Sequence, residues 1–405
     1  MHFIPILSTL RRHRTAALLI ILEIALSCAI VCNAVFLVVN RLHRMNEPTG
    51  IAENEIVDLQ ITGIGVKQNE TALTAQDIAA LRAVPGVKAV AATNMIPLGG
   101  SSWNDDVSLN ADHTGSTHSA AYTGSEDLVK VLGVKLIAGR DFMPDEYQEF
   151  EAVQKQTAHC ASVIVTKSLA EHMFPNESAL GKQVYTWGKE PQTIVGIVER
   201  LARPNGVNGA DLVGYAFIMP VRVPYTVGGH YLMRVDPTRG DQVLRAAETA
   251  LMKLDPARIV LGKRTFADVR AAYFKEDRAM AYLLVGVSLA LLLITALGVV
   301  GLASFWVQQR TRQIGIRRAL GATRSNILHY FQLENFILAT IGIVLGMGLA
   351  YAINLWLMHK YAVPRLPGSF LPIGAALLWV LGQLAVLGPA MRASMIAPAT
   401  ATRSV

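Results

Sequence analysis

Four apolar blocks divide the chain. The windows 16–40, 281–307, 334–357 and 370–391 are each long enough to cross a hydrocarbon core of about 30 Å, which takes about 20 helical residues. Between the first two blocks, over 41–280, apolar residues no longer run together but alternate or recur at helical spacing. The pattern predicts an α-helical membrane protein with four transmembrane helices and a large α+β extracytoplasmic domain inserted between the first and second. The shorter pieces are an N-terminal interfacial helix over 1–15, a coupling loop over 308–333, a short outer loop over 358–369 and a tail over 392–405.

Within 41–280 the alternation around Ile56, Val57, Leu59 and Ile61 predicts a strand. Thr74 and Asp77 have capping-box spacing and predict a helix start, which Pro85-Gly86 ends before a second strand over 87–92. A polar loop over 97–115 carries Trp103, and Ser125 is placed to cap the helix that follows. After a strand and turn over 133–142, the acidic, Gln-rich residues 144–156 read as a mobile insertion or a short exposed helix. Further strands are expected at 162–165, 181–184, 192–198, 215–219 and 230–235, with helices at 166–173 and 241–254. From Thr265, with Asp268 at capping spacing, one unbroken helix is expected through Tyr273, Phe274 and Arg278 into the second span, forming a rigid stalk.

Charge fixes the expected orientation. The net +7 arises largely at the ends of the apolar blocks. Arg11, Arg12 and Arg14 precede the first span, Arg310, Arg312, Arg317, Arg318 and Arg324 follow the second, and Arg392 and Arg403 follow the fourth. By the positive-inside rule both termini face the cytoplasm of a multi-pass cell inner membrane protein. The basic balance therefore reports topology and contact with membrane lipids, and gives no ground for a nucleic-acid partner. The first apolar run is longer than a typical signal-peptide core and no small-residue cleavage pattern follows it, so it reads as a retained anchor.

Candidate chemistry is sparse. There is no phosphate-cradling Gly-x-x-x-x-Gly-Lys-[Ser/Thr], no His-Glu-x-x-His, no Cys-x-x-Cys and no Gly-x-Ser-x-Gly. Asp105 and Asp106 read as solvated carboxylates, His113 and His118 as solvated loop histidines, and no metal site or resident cofactor is expected. Cys28, Cys32 and Cys160 read as small buried hydrophobes. In the spans, Glu23 either makes a polar contact to another helix or snorkels to the interface, and Glu334 is read at the start of the third span, where a helix N-terminus favours a carboxylate. Gly342 and Gly346 have the spacing that lets helices approach closely, either within the chain or across a dimer.

The most specific stretch is Gln309-Arg310-Thr311-Arg312-Gln313-Ile314-Gly315-Ile316-Arg317-Arg318-Ala319-Leu320-Gly321-Ala322, with four arginines and no carboxylate between two apolar runs. It resembles the Glu-Arg-x-x-Glu-Ile-Gly-x-x-Arg-Ala-x-Gly-Ala sequence of FtsX-like ABC transporter permeases with a MacB-type periplasmic core domain. Phe331, Glu334, Gly342 and Gly346 continue the likeness into the third span. Leu132-Gly133, Gly139-Arg140-Asp141-Phe142, Leu180-Gly181-Lys182 and Ile194-Val195-Gly196-Ile197-Val198 carry it in the outer domain.

The resemblance implies a permease that is not itself an enzyme and that works by mechanotransmission. A separate cytoplasmic ABC ATPase, holding the ATP and Mg, would drive movement of the periplasmic domain to export or extract a substrate. A second permease copy or a paralogous permease would complete the membrane part, and a periplasmic adaptor is compatible with it. The alternative is an ABC-coupled regulatory protein that controls a cell-wall hydrolase or senses an antimicrobial compound. Arg310, Arg312, Gln313, Ile314, Gly315, Arg317, Arg318, Ala319, Leu320 and Gly321 would form the ATPase-coupling helix. Gln309 and Gln313 stand where the family carries carboxylates, which raises the prospect of a mixed permease pair or an acidic ATPase surface.

Overall fold

An apolar run in hydrocarbon must close its backbone N–H and C=O groups within itself, which a helix does. The first run does so as α1 (Arg14–Met45). The chain then builds β1 (Ile56–Gly63), α2 (Glu70–Arg82), β2 (Val87–Thr93), β3 (Asn104–Val107), β4 (Thr117–Gly124), α3 (Leu128–Leu132) and β5 (Leu136–Gly139). Next come β6 (Gln148–Glu149), α4 (Phe150–Gln154), β7 (Ser162–Thr166), α5 (Lys167–Met173), β8 (Gln183–Val184) and β9 (Gln192–Val198). Then follow β10 (Ala216–Arg222), β11 (His230–Val235), α6 (Gly240–Leu254), β12 (Arg258–Thr265) and α7 (Phe266–Tyr273). Long helices return as α8 (Lys275–Gln309), α10 (Arg324–Tyr361) and α11 (Phe370–Ser394), with the short α9 (Thr311–Ala319) after α8. The computed structural model describes residues 14–63, 69–101, 103–205, 214–361 and 364–396. Most of the interfacial helix expected over 1–15, and of the tail over 392–405, lies outside the described residues.

Two units result, a helical one (Met1–His43 with Asp277–Val405) and a sheet-based one (Arg44–Glu276). The sheet runs β12-β1-β11-β2-β4-β10-β7-β9-β5, with β3, β6 and β8 pairing at its sides. Period-two alternation covers both of its faces. Val57, Leu59, Tyr231 and Met233 meet Leu81 of α2 and Val243, Ala247 and Leu251 of α6, while Ile56, Ala91 and Leu232 meet Leu128, Leu132, Phe266 and Val269 of α3 and α7. The β12-β1-β11-β2 half is antiparallel, and it joins the mixed other half through one residue pair, Thr93 with Gly124.

Local chemistry departs from the sequence expectations in instructive places. The helix α2 starts at Asn69, whose side chain accepts from Ala72 N–H at 3.3 Å, and not at Thr74. Thr74 and Asp77 are turned inward instead: the Thr74 hydroxyl accepts from Tyr225 N–H, and the Asp77 carboxylate accepts from Tyr231 Oη at 2.6 Å and pairs with Arg258. Burial raises the Asp77 carboxyl above its ordinary range, against the pull of Tyr231 and Arg258. Ser125 does not cap a helix; its hydroxyl accepts from Ala92 N–H at 2.9 Å. The polar loop contains β3, which pairs antiparallel with β4. The insertion over 144–156 is anchored, since Phe150 and Val153 of α4 are buried. An unforeseen edge strand, β12, carries Lys263 and Arg264 in ion pairs with Glu248 and Asp58.

The capping box at Thr265 and Asp268 is present, but the helix it starts is not continuous with the second span. It stops at Tyr273, and α8 begins at Lys275. Phe274, between them, is buried in the sheet unit's core, edge-on to Tyr273 and under the Arg270 guanidinium, and its conformation is not helical.

In the helical unit α1 is the element that the others pack around. An added Cβ at Gly342 would lie 2.9 Å from Ile24, and one at Gly346 would lie 2.5 Å from Cys28 Cβ and 2.7 Å from Ala25 O. These two glycines therefore serve packing within the chain. Asn33 donates to Ala350 O at 3.0 Å, and Ser27 and Thr295 share a hydroxyl contact of 2.7 Å that ties α1 to α8. Cys28, Cys32 and Cys160 are buried free thiols.

Two measurements check this packing. Gly346→Leu should lower stability by about 1–3 kcal/mol through overpacking of α1 on α10. Gly348→Leu, at a glycine with open space around it, should leave the thermal midpoint of the detergent-solubilised protein unchanged. In the sheet unit, Arg140 grips Glu146 with both guanidinium nitrogens, while Met143 N–H and Ser162 Oγ also donate to it. These donors hold the Glu146 carboxyl down at about 2, from the ordinary 4.5. The stability Glu146 adds is thus present above about 4.5 and lost as pH falls towards about 2. In urea titrations, the advantage of the native protein over Glu146→Gln should be constant above pH 5 and shrink below pH 4.5.

Candidate coupling site

The loop between α8 and α10 is built around one buried ion pair. Arg310, which precedes α9, donates through Nη1 to both carboxylate oxygens of Glu334, at 3.0 and 2.8 Å. Both side chains are withdrawn from solvent, at 8% and 1% exposure. The guanidinium also lies 5.6 Å from the Trp306 ring. Glu334 is not at a helix N-terminus as expected; α10 starts at Arg324, so Glu334 sits inside it and takes its compensation from Arg310 instead. No motif of adjacent residues signals this pairing, because 24 positions separate the partners.

Periodicity then sorts α9 into two sides. Ile314 and Gly315 are buried, Ile314 in the same apolar cluster as Ile327 and Phe331 of α10. Arg317 lies over the Tyr330 ring at 5.0 Å, and Arg318 donates to Ile396 O beyond α11. On the other side Arg312, Gln313, Ile316, Ala319 and Leu320 are exposed, Leu320 at 83% and Ile316 at 49%. Gly321 ends the element at φ +97°, where Gly321 N–H and Ala322 N–H return to Arg318 O and Arg317 O. A cavity of about 440 Å³ opens beside the helix, lined by Arg317, Asn326, His329, Tyr330 and Leu333.

The structure thus divides the residues singled out from the sequence. Arg310, Ile314 and Gly315 hold the helix in place, Arg317 and Arg318 brace it from its flank, and Arg312, Gln313, Ala319 and Leu320 face outward. Gln309 is exposed as well, so no carboxylate interrupts the outward surface of α9. Glu23 is remote from this group and lies against Gly298 of α8, where an added Cβ would come within 2.5 Å of its carboxylate oxygens. Gly342 and Gly346 belong to the α1–α10 contact. Among the described residues no cluster of His, Cys, Asp and Glu is arranged to hold a metal ion.

Arg310→Met would leave Glu334 buried without its cation. The expected cost is about 3–5 kcal/mol. The double variant Arg310→Met with Glu334→Leu should recover most of it. Thermal midpoints of the detergent-solubilised proteins measure both effects.

Comparison with known proteins places this arrangement. The FtsX-like permease C-terminal family matches residues 285–398, which include α9, and the MacB-like periplasmic core domain matches 17–258. A macrolide export ATP-binding/permease protein MacB of Neisseria gonorrhoeae is 27% identical over 262 residues, covering 62% of this chain and 37% of that protein. The uncharacterized ABC transporter permease YknZ of Bacillus subtilis is 24% identical over 344 residues, covering 82% of this chain and 80% of that one. The chain spans about a third of the length of the MacB relative and most of the YknZ relative. Among solved structures, the periplasmic region of MacB from Actinobacillus actinomycetemcomitans aligns at 17% identity and a TM-score of 0.35 over 56% of this chain and 96% of that one. The extracellular domain of YknZ from Gram-positive bacteria aligns at 16% identity and 0.32 over 51% and 100%. The structural scores add no weight of their own, but the core-domain match alone takes in more than half of the sequence. The chain belongs to the FtsX-like ABC transporter permeases that carry a MacB-like periplasmic core domain.

Proposed function

We propose that this permease couples ATP hydrolysis by a partner ABC ATPase to movement of its sheet unit, and so drives export or extraction of a substrate on the outer side of an inner membrane. The observation that carries this reading is the two-sidedness of α9. A helix pinned by a desolvated ion pair on one side, with Leu320 and Ile316 bare on the other, has the form of a docking element. The guanidinium of Arg312 stands on that same outward side, so the complementary surface is an apolar groove with an acidic rim. The cavity beside Arg317 and Tyr330 gives a partner side chain a place to insert.

In this reading ATP binding brings two ATPases together, α9 is carried with them, and the rigid connection through Arg310 and Glu334 passes the displacement to α10. No solute needs to cross between the spans. The ATP and Mg chemistry belongs to the partner, and the permease contributes the mechanical path. A second permease, identical or paralogous, would occupy the other ATPase, and the carboxylate-free α9 favours partners whose docking grooves are acidic.

The test is ATP hydrolysis by the candidate ATPase reconstituted with the permease in vesicles. Native permease should stimulate hydrolysis, and a cross-linker placed at Gln313 should capture the ATPase. The double variant Arg312→Glu with Leu320→Asp should insert normally yet lose most of the stimulation, on the order of tenfold for each 1.4 kcal/mol of docking energy removed. Unchanged stimulation in that variant, together with no cross-link at Gln313, would sink the docking role of α9.

A further inference from the structure

The sheet unit contains a second concave site, remote in sequence from the loop between α8 and α10, whose lining sets aromatic rings beside carboxylates. Trp103, Phe150 and Trp187 wall a cavity of about 500 Å³. Phe150 stands edge-on between the two indoles, with ring centroids 6.2 Å from each at 69° and 76°. Asp105, on β3, supplies a carboxylate. One of its oxygens accepts from Asp106 N–H at 2.8 Å, while the other is shielded from solvent and has no hydrogen-bond partner among the described residues. Asp106 lies beside it, and no Lys or Arg is among the described residues of the lining.

The walls are fixed rather than left loose. His113 Nε2 donates to Gly188 O at 2.9 Å and ties the loop beyond β3 to the turn that carries Trp187. The Thr186 hydroxyl, next to Trp187, donates to Gln192 at 2.6 Å. Trp103 O accepts from Ala121 N–H, which seats that indole on β4. Such a cavity is of the size that takes a small molecule.

Three aromatic rings line the cavity, and an unpaired carboxylate lies among them. A buried acceptor without a donor is costly, and burial accordingly raises the Asp105 carboxyl above its ordinary range. What would relieve the site is a positive group that is easily stripped of water. An alkylammonium meets this need, since it is attracted both to the carboxylate and to ring faces within about 6 Å. A metal ion is not suited, because among the described residues no group of three or more His, Cys, Asp and Glu is arranged to hold one, and the aromatic walls offer no ligands.

We infer that this cavity is a binding site for a small organic cation, a tertiary or quaternary ammonium on an apolar body, with Asp105 as counter-ion and Trp103, Phe150 and Trp187 as its cage. The proposal does not depend on the coupling role of α9. A failure of ATPase stimulation leaves it standing, and its own failure leaves the coupling reading intact.

Equilibrium dialysis of the full chain in a nonionic detergent tests it, with benzyltrimethylammonium as the cation and N,N-dimethylbenzamide as an uncharged probe of similar size. The cation should be retained at submillimolar concentration and the amide at least about tenfold more weakly, as expected for 1.4 kcal/mol or more of charge recognition. Asp105→Asn and Trp187→Leu should each weaken retention of the cation by about tenfold, with thermal midpoints confirming that both variants fold. Equal retention of the two probes by the native protein, no retention of the cation up to about 10 mM, or native-like retention by both folded variants would each overturn the assignment.

Discussion

The helical unit turns on a charge pair that water cannot reach. Removing a guanidinium and a carboxylate from water costs several kcal/mol for each ion, and only close, hydrogen-bonded geometry returns it. Arg310 and Glu334 have that geometry, so the start of α9 cannot drift from α10 without exposing one ion to an apolar surrounding. The constraint is local, but what hangs from it is the orientation of the whole short helix. Its inward face is fixed by Ile314, and its outward face then follows from helical geometry alone.

Elsewhere the same chain secures contacts by subtraction. Where α10 crosses α1, Gly342 and Gly346 remove side chains so that backbones approach, and the attraction is dispersion over a close-packed seam rather than charge. The sheet unit again uses buried polar pairs, as at Asp77, Tyr231 and Arg258, where one carboxylate holds α2 to both β11 and β12. Ion pairs thus mark the places where one element must keep its angle to another, and glycines the places where two elements must come close.

Much of this was legible in the sequence because it rests on period and length. The four spans follow from apolar runs, the strand at Ile56 follows from alternation, and the one at Ser162 follows from a short continuous apolar run. The box at Thr265 and Asp268 was legible because both partners are local. What stayed hidden depends on residues that only the fold brings together. Thr74 and Asp77 have the spacing of a cap, but a buried Tyr231 and Arg258 outbid the helix end for Asp77. The strand β12 is an edge strand whose charged residues and outward Ile259 and Leu261 blur its period. In the loop between α8 and α10 the motif revealed which residues belong together but not which way they face, since Arg310 looks in sequence like its neighbour Arg312 and only the pairing with Glu334 separates them.

The sheet itself ends its continuity at Thr93 and Gly124, the one backbone pair that joins its halves. Side chains take over where the ladder stops. Thr93 donates its hydroxyl to Thr123 O, Asn94 donates to Ala121 O and accepts from Thr123 N–H, and Ser125 accepts from Ala92 N–H. In a regular ladder any sequence supplies the hydrogen bonds, but at this suture side-chain bonds reinforce only two from the backbone, Asn94 N–H to Thr123 O at 3.2 Å and Ser125 N–H to Ala92 O at 2.9 Å. Whether the two halves melt as one body or as separate foldons is therefore written in a threonine, an asparagine and a serine as well as in the backbone.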